Sequence, residues 1–417
     1  MPTLTELAQN ILDSARALDE YTASQGLEPT SVTHHTLPTL SGDLEEARKK
    51  LVDSATELKA LVQGPIGQLY DVLFAFTDLM SIRFIYRHNV PHHVPLEGDI
   101  SITDLAEKTK LDPIHLRRYL QHTMMYRVFT EPRPGFVAHS AASRLLSTDP
   151  AALDTVGFLV EELAPAGTKV IEAEAQWPDS AEPNETGFNV AFNTTDSFYR
   201  EIAKTDERAR RFGAAMRFMT SGTFYDIAHL IHGYDWSALD VPGAVVVDVG
   251  GGQGGVSQAL AGATAHLRFV VQDLEGTVLE GQRILPRHLQ GRVTFQAHDF
   301  FTPQPVKHAD VYFFRYILHN WADKYAVQIL RNLIPAMKAG SHVIIYEFLL
   351  PDVSQPEWTK KQWRNLDMIQ MLGWNSLERT ESDWKSLFAS VDPRLEFVGT
   401  KTPDGSIVSL IEAVWRP

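Results

Sequence analysis

A glycine-rich turn after a run of β-branched residues is the strongest chemical signal in the sequence. The run at 244–249 contains Asp248 and leads directly into the glycine-rich residues 250–255. Glycines have no side chain, so the backbone can approach a ligand closely where such a turn follows a strand and opens a helix. Gly250, Gly252 and Gly255 also match the G-x-G-x-x-G pattern, so a nicotinamide dinucleotide is one possible ligand.

Two acidic residues at the ends of the next predicted strands narrow the choice of ligand. Asp273 ends the second strand, where its carboxylate could accept hydrogen bonds from both hydroxyls of a ribose. Asp299 ends the third strand, where it could reach an adenine amino group while Phe300 packs on the ring. Open α/β sheets bind ligands at this carboxyl edge. Together the two carboxylates predict one pocket for an adenosine group.

The C-terminal part of the chain alternates strands with helices. That alternation predicts an α/β fold with a parallel sheet covered by helices on both faces. A closing antiparallel hairpin is expected from two final runs separated by Pro403-Asp404-Gly405. The predicted strands are 244–249, 269–272, 293–297, 310–314, 342–348, 395–401 and 406–414.

The N-terminal part is predicted to be mostly helical. Residues 66–85 form a strongly apolar segment, typical of a buried helix that packs either on its own domain or on another chain. Residues 100–146 follow the order of a winged helix, with two short helices, a small hairpin over 128–137 and a closing helix. DNA binding would follow from that pattern, but Arg117 and Arg118 alone are more typical of a solvated helix face.

Composition excludes several classes of function. The formal net charge is −14, whereas a general nucleic-acid binder needs a basic surface. The chain has no cysteine, which excludes disulfides, thiolate zinc sites and cysteine nucleophiles, and His92-His93 has no third metal ligand nearby in the sequence. The first residues do not resemble a secretory signal, and no apolar run reaches the roughly 18 residues of a membrane span. We therefore expect a cytoplasmic protein without metal, membrane or nucleic-acid partners.

Six motifs in order resemble one enzyme family over essentially the whole chain. They read VDVGGGQGG, VVQDLE, HDFF, RYILHNWAD, IIYEFLLP and LERTESDW. This order and spacing is similar to that of plant and fungal S-adenosylmethionine-dependent O-methyltransferases of the caffeic-acid type. The resemblance implies S-adenosylmethionine as cofactor and a class I, Rossmann-like catalytic domain. It also implies an N-terminal winged-helix region that forms a homodimer. The expected divisions are a dimerisation region at 1–150, a helical linker and substrate-pocket region at 151–240 and the catalytic domain at 241–417.

The resemblance also implies a catalytic group of three residues. His319 matches the histidine that removes the proton of the acceptor hydroxyl, and Glu347 and Glu378 match the two family glutamates. The chemistry is sound, because a phenol or enol is a poor nucleophile until a neutral imidazole takes its proton. A carboxylate on the other ring nitrogen would set the tautomer and stabilise the imidazolium.

The remaining site predictions concern the cofactor and the acceptor molecule. Arg315 stands where the family commonly has lysine, and His139 lies in a segment that enters the substrate pocket of related proteins. The predicted cofactor-binding residues are Asp248, Gly250, Gly252, Asp273, Leu274, Asp299, Phe300 and Arg315. The predicted substrate-binding residues are His139, Phe198, Met216, Met219, Asn320, Met368 and Met371.

One departure from the family pattern leaves a second function open. The family usually has aspartate directly after the base histidine, whereas this chain has Asn320. Some members of this fold bind the cofactor but catalyse dehydration or pericyclic ring closure without methyl transfer. We therefore expect an O-methyltransferase that acts on an aromatic or polyketide-derived hydroxyl. The alternatives are such a pericyclase or dehydratase and, with less support, a winged-helix regulator.

Overall fold

The computed structural model describes residues 2–354 and 356–417, which form two compact units. The first unit comprises Met1–Lys169, Tyr199–Thr220 and Glu357–Thr359. The second unit comprises Val170–Phe198, Ser221–Pro356 and Lys360–Pro417. None of the described helices is long and apolar enough to cross a membrane.

The first unit is mostly helical, and the second contains the large sheet. In chain order the helices are α1 Leu4–Ser24, α2 Gly42–Leu73, α3 Ala75–Arg87, α4 Ile102–Thr109, α5 Pro113–Met125, α6 Ala141–Thr148, α7 Pro150–Phe158, α8 Ala164–Gly167, α9 Val170–Gln176, α10 Gly187–Phe192, α11 Phe198–Ile202, α12 Asp206–Met219, α13 Ile227–Gly233, α14 Gly255–Ala263, α15 Glu275–Ile284, α16 Asp323–Arg331, α17 Trp358–Trp374 and α18 Glu381–Val391. The strands are β1 Ile100–Ser101, β2 Phe136–Val137, β3 Val245–Val249, β4 Arg268–Asp273, β5 Val293–Ala297, β6 Val311–Arg315, β7 His342–Glu347, β8 Leu349–Leu350, β9 Arg379–Thr380, β10 Leu395–Lys401 and β11 Ser409–Trp415.

The small sheet of the first unit differs from the hairpin predicted over 128–137. Strand β2 pairs antiparallel with β1, and the predicted partner segment contributes one bridge, between Thr130 and Ala138. Two prolines, Pro132 and Pro134, lie in the connection. Proline has no N–H to donate, so a longer ladder cannot form there.

The predicted buried helix over 66–85 is instead largely exposed within this chain. Helix α2 continues to Leu73 across a local break at Gly64, whose φ is 69°, and α3 follows directly. Val72 remains 72% exposed and Phe76 64% exposed, and in α3 the buried residues are Ser81 and Ile85. The segment therefore presents an apolar surface, which we call the α2–α3 face. Its large exposed residues are Leu61, Val62, Ile66, Leu69, Tyr70, Val72, Leu73, Phe74, Phe76, Leu79 and Met80.

The sheet of the second unit has seven strands in the order β10-β11-β7-β6-β3-β4-β5. Strands β3 to β7 pair in parallel, while β11 pairs antiparallel with both β7 and β10. Successive residues of β3 face opposite sides, so Val246 joins one apolar core and Val247 the other. The predicted α/β fold with a closing hairpin is confirmed. The parallel strands bring the ends of β3, β4, β5 and β6 to one edge, where the site lies.

Candidate active site

The glycine-rich turn connects β3 to α14 with three glycines at positive φ. Gly250, Gly252 and Gly254 have φ values of 72°, 59° and 78°, which side-chain-bearing residues rarely adopt. A Cβ at Gly250 would lie 2.5 Å from the Cδ1 of Ile317, whereas one at Gly252 would meet nothing within 4 Å. The turn is therefore closed toward the protein at Gly250 and open at Gly252. A ligand could approach its backbone at the open position.

Asp248 lies inside the turn rather than on its surface. Its Oδ2 accepts a hydrogen bond of 2.6 Å from the hydroxyl of Ser257, and the side chain is fully buried. Burial raises the pKa of Asp248 to about 6, against the opposing effects of the Ser257 hydroxyl and the charge of Arg315. This geometry gives Asp248 a role in holding the turn against α14.

Asp273 lies at the end of β4, as the sequence predicts, and its carboxylate supports the glycine-rich turn. Its Oδ2 accepts a 2.9 Å hydrogen bond from the backbone N–H of Gly252, and Oδ1 accepts one from Leu274. The side chain is only half-buried, so its carboxylate can accept further hydrogen bonds. This arrangement fits the predicted contact with ribose hydroxyls.

Asp299 and Phe300 follow β5 at the same edge. The Asp299 carboxylate is exposed and accepts a 3.0 Å hydrogen bond from the N–H of Phe301. The rings of Phe300, Phe301 and Trp321 pack edge to face, with centroid distances of 4.7 to 6.0 Å. An exposed carboxylate beside a partly buried aromatic cluster fits an adenine ring and its amino group.

Arg315 ends β6 and carries a buried polar atom that fits a further ligand contact. Among the described residues its Nε has no hydrogen-bond partner, and its guanidinium lies 4.9 Å from the ring centre of Tyr316. A buried N–H without an acceptor is costly, so an acceptor supplied by a ligand would satisfy it. A carboxylate of an amino-acid group is such an acceptor. The edge thus fits the predicted adenosine and methionine portions of the cofactor.

His319 and Glu378 form a buried pair. The Nδ1 of His319 lies 2.8 Å from Oε1 of Glu378, and the carboxylate is almost fully buried. Burial acts to lower the pKa of His319, but the charges of Glu378 and Glu347 outweigh it and raise the pKa. With the Glu378 carboxylate as its partner, Nδ1 carries the proton and donates it, so the amide nitrogen of Gln370 at 3.1 Å is a contact of Nδ1 and not a second hydrogen bond. Nε2 is therefore the atom with a lone pair for a substrate proton.

Glu347 binds the backbone of the residues that immediately precede His319. Its Oε1 accepts hydrogen bonds from the N–H groups of Ile317 and Leu318, at 2.9 and 2.7 Å. The side chain is completely buried, and burial raises its pKa. Glu347 therefore supports the turn that carries His319, and its charge acts on the ring without a described hydrogen bond to it.

Three residues that the sequence analysis did not select complete this network. Gln370 places its amide nitrogen 3.1 Å from Nδ1 of His319, and the hydroxyl of Ser376 donates to its Oε1 over 3.0 Å. The buried guanidinium of Arg379 donates to the carbonyls of Leu318 and Trp321. Arg379 stands in the quoted LERTESDW motif, so the motif itself was the available signal. Gln370 and Ser376 stand in no such motif.

A cavity of about 460 Å³ lies beside this network in the second unit. Its lining includes Met371, Asn375 and Ser376 from the C-terminal part of the chain and Glu174, Trp177 and Glu185 from an earlier segment. Ser376 therefore contacts both the cavity and Gln370. This places one predicted substrate residue, Met371, at a space suited to a small molecule.

The other predicted substrate residues of the second unit have different surroundings. Phe198 is fully buried and packs on Trp374 with a centroid distance of 4.5 Å. Met368 is mostly exposed, and Asn320 donates from Nδ2 to the carbonyl of Tyr316 over 3.0 Å. Phe198 thus supports the helix that carries Met371, and the Asn320 amide is folded back on its own turn.

Three predicted substrate residues belong to the first unit. Met216 and Met219 lie half-buried on α12. His139 is buried, with Nδ1 2.9 Å from the Ser143 hydroxyl and Nε2 3.2 Å from the carbonyl of Val94. Burial lowers its pKa. Both ring nitrogens of His139 are therefore already bonded within this unit.

Comparison with known proteins identifies the family. A family model described as an O-methyltransferase domain matches residues 178–391, just over half of the chain. The chain belongs to this O-methyltransferase family. The chlorophenol O-methyltransferase of Trichoderma longibrachiatum is 37% identical over 98% of this chain and 89% of its own length. The resemblance to O-methyltransferases is confirmed, and with it the methyltransferase function and S-adenosylmethionine as cofactor.

Solved structures share the fold at low sequence identity. The structure of OxaC in complex with SAH and oxaline matches with a TM-score of 0.75 and 21% identity over 99% of both chains. A structure titled a pericyclic reaction enzyme matches with a TM-score of 0.71 and 21% identity, over 97% of this chain and 100% of its own. At such identity these matches show the fold alone.

Proposed function

We propose that this protein methylates a hydroxyl of an aromatic or polyketide-derived small molecule, with His319 as general base. The contact between His319 Nδ1 and Glu378 carries the proposal, because it leaves Nε2 as the proton acceptor. Two relatives support the acceptor class by name: the chlorophenol O-methyltransferase and the grayanic acid biosynthesis cluster O-methyltransferase of Cladonia grayi. The cavity lined by Met371 supports an acceptor of small-molecule size.

The proposed mechanism assigns each group one task. Bound S-adenosylmethionine supplies an electrophilic methyl group. Asp273, Asp299 and Arg315 would hold its ribose, adenine and carboxylate portions at the sheet edge. His319 takes the proton of the acceptor hydroxyl at Nε2, and Glu378 keeps the proton of Nδ1 in place and stabilises the imidazolium. These residues contribute position and deprotonation.

Methyl-labelled S-adenosylmethionine gives a direct test of this function. Purified protein incubated with a panel of phenols, a chlorinated phenol among them, is expected to give labelled product and S-adenosylhomocysteine. Mass spectrometry detects both. Product of unchanged mass formed without consumption of the cofactor would contradict methyl transfer and favour the pericyclic or dehydrating alternative.

We also propose that the protein is a homodimer through its N-terminal region. The α2–α3 face supports this, since it presents eleven large exposed apolar residues between Leu61 and Met80. Monomeric proteins usually expose large apolar residues singly and not in such a cluster.

Helices α4 and α5 beside the small β1–β2 sheet support a winged-helix assignment for this region. We retain 1–150, 151–240 and 241–417 as the functional regions. A cytoplasmic location is proposed on the lack of cysteine, which a reducing compartment permits.

The dimer proposal predicts the effect of placing charges on the α2–α3 face. The double substitution Val72→Glu and Phe76→Glu is expected to convert a dimer into a monomer at micromolar concentration, because association would bury two carboxylates from each protomer. Light scattering coupled to size exclusion measures the mass. Val398→Glu, at an exposed position of β10, is the matched control. A wild-type protein of 46.7 kDa in solution would disprove the proposal.

A further inference from the structure

Gln370 is a buried amide in direct contact with the pair that would carry out proton transfer. It lies on α17, is 6% exposed, and its Nε2 is 3.1 Å from Nδ1 of His319 and 3.5 Å from Oε1 of Glu378. A buried amide has few alternative partners, so these contacts set its position. We propose that Gln370 is a positioning residue that keeps His319 neutral and its Nε2 available as the base. This inference rests on the proposed role of His319.

The orientation of the Gln370 amide follows from Ser376. The Ser376 hydroxyl donates to Oε1 of Gln370 over 3.0 Å, so the amide NH₂ points to the other side, toward His319 and Glu378. An amide NH₂ donates hydrogen bonds and does not accept them. Glu378 Oε1 consequently receives two donors, the ring Nδ1–H and the amide N–H, from two different elements.

Two donors on one carboxylate oxygen have a definite electrostatic effect on the ring. The amide N–H stabilises the ionised form of Glu378 and takes up part of its charge. Its positive end also lies next to Nδ1, where it disfavours a positively charged imidazolium. Both effects disfavour the imidazolium, while the Glu378 carboxylate, as the acceptor at 2.8 Å, keeps the single proton of the neutral ring at Nδ1 and leaves Nε2 basic.

The charged groups around His319 show why a group that disfavours the imidazolium matters. Glu378 and Glu347 favour the imidazolium and outweigh burial, while the charge of Arg379 opposes it. The tilted ring of Tyr316 lies 5.8 Å away, and Asp367 accepts from the N–H of Glu378 on the far side. A ring that is already protonated cannot act as a base. The positive end of the Gln370 amide lies against the ring and, in the proposed role, acts in the same direction as Arg379.

The experiment measures the titration of His319 directly in the full-length protein with S-adenosylmethionine. Ring ¹⁵N resonances report both tautomer and protonation, and the signal is assigned by its loss in His319→Gln. Gln370→Met keeps the side-chain volume but removes the donor. It is expected to raise the His319 titration midpoint by about 0.7 of a pH unit, the equivalent of losing one hydrogen bond of about 1 kcal/mol. Ser376→Ala should give a smaller shift in the same direction.

Controls separate a positioning role from a merely structural one. Gln362→Met, at an exposed position of the same helix, should leave the midpoint unchanged. In methyl-transfer assays the acidic limb for Gln370→Met should move to higher pH, and turnover should recover in alkaline buffer. An unchanged His319 midpoint in Gln370→Met overturns the proposal; if that variant does not fold, an unchanged midpoint in Ser376→Ala does so. Full turnover by His319→Ala would instead overturn the general-base role, whatever the titration shows.

Discussion

Replacing His319 with alanine is expected to lower methyl transfer by about 100- to 10,000-fold, the usual contribution of a general base. The imidazole is held by Glu378 at 2.8 Å, so its loss removes both the proton acceptor and the charge pair that stabilises the protonated state. The measurement is turnover with labelled cofactor at saturating acceptor. Turnover of the wild type should also fall as the pH drops through the raised pKa of His319, because the imidazolium has no free lone pair.

Binding measurements distinguish loss of the base from loss of the site. The predicted cofactor contacts, Asp273, Asp299 and Arg315, lie outside the substituted side chain, so calorimetry should find unchanged affinity for S-adenosylmethionine in His319→Ala. His288→Gln, at an exposed position, is the matched control and should retain wild-type turnover. Wild-type rates in His319→Ala would refute the general-base assignment.

The substitution Arg379→Met is expected to cause a large loss in the free energy of unfolding. The Arg379 guanidinium is 1% exposed and donates to the carbonyls of Leu318 and Trp321 and to the carboxylate of Asp323. Methionine fills much of the volume but leaves these acceptors without a donor. The Asp323 carboxylate is 65% exposed and can be hydrated, so the loss comes from the two carbonyls. An unsatisfied buried acceptor costs about 1–3 kcal/mol, and we expect a loss of that size for each carbonyl in the free energy of unfolding measured by urea titration.

The Arg379 variant should also affect catalysis through the His319 turn. Both backbone carbonyls that Arg379 binds flank His319 in sequence, so the turn should lose its fixed position and turnover should fall even where the protein is folded. Arg283→Met removes an exposed ion pair with Glu280 and should change stability by no more than about 1 kcal/mol. Equal stability of the two variants would contradict this account.

Local sequence patterns were sufficient to predict the strands of the seven-stranded sheet and the acidic residues at their ends. The strand predicted at 293–297 has those bounds in the structure, and the one predicted at 395–401 does as well. Buried parallel strands are nearly continuous apolar runs, and the turns between them carry glycine and acidic residues, so both signals are readable within a few residues. Asp273 and Asp299 were found in this way, because strand ends in a parallel sheet meet at one edge.

Local patterns did not predict burial or strand pairing where these depend on residues far away in the sequence. The apolar segment 66–85 has the composition of a buried helix, yet within one chain it is the exposed α2–α3 face. Composition predicts that such a surface must be covered but does not say by which chain. The hairpin over 128–137 was misjudged for a related reason, since β2 found a partner in β1 more than thirty residues earlier.

The amino-acid order determined the family, the glycine-rich turn, the acidic strand ends and the histidine–glutamate pair, because motifs and short-range periodicity specify these. Tertiary structure alone decided what surrounds the pair. Gln370 contacts His319 from more than fifty positions further along the chain, Ser376 holds the Gln370 amide, and Glu347 acts on the turn through backbone N–H groups. Hydrogen bonds between such distant residues depend on the packing of α17 and β7 in three dimensions, which no local pattern of residue types encodes.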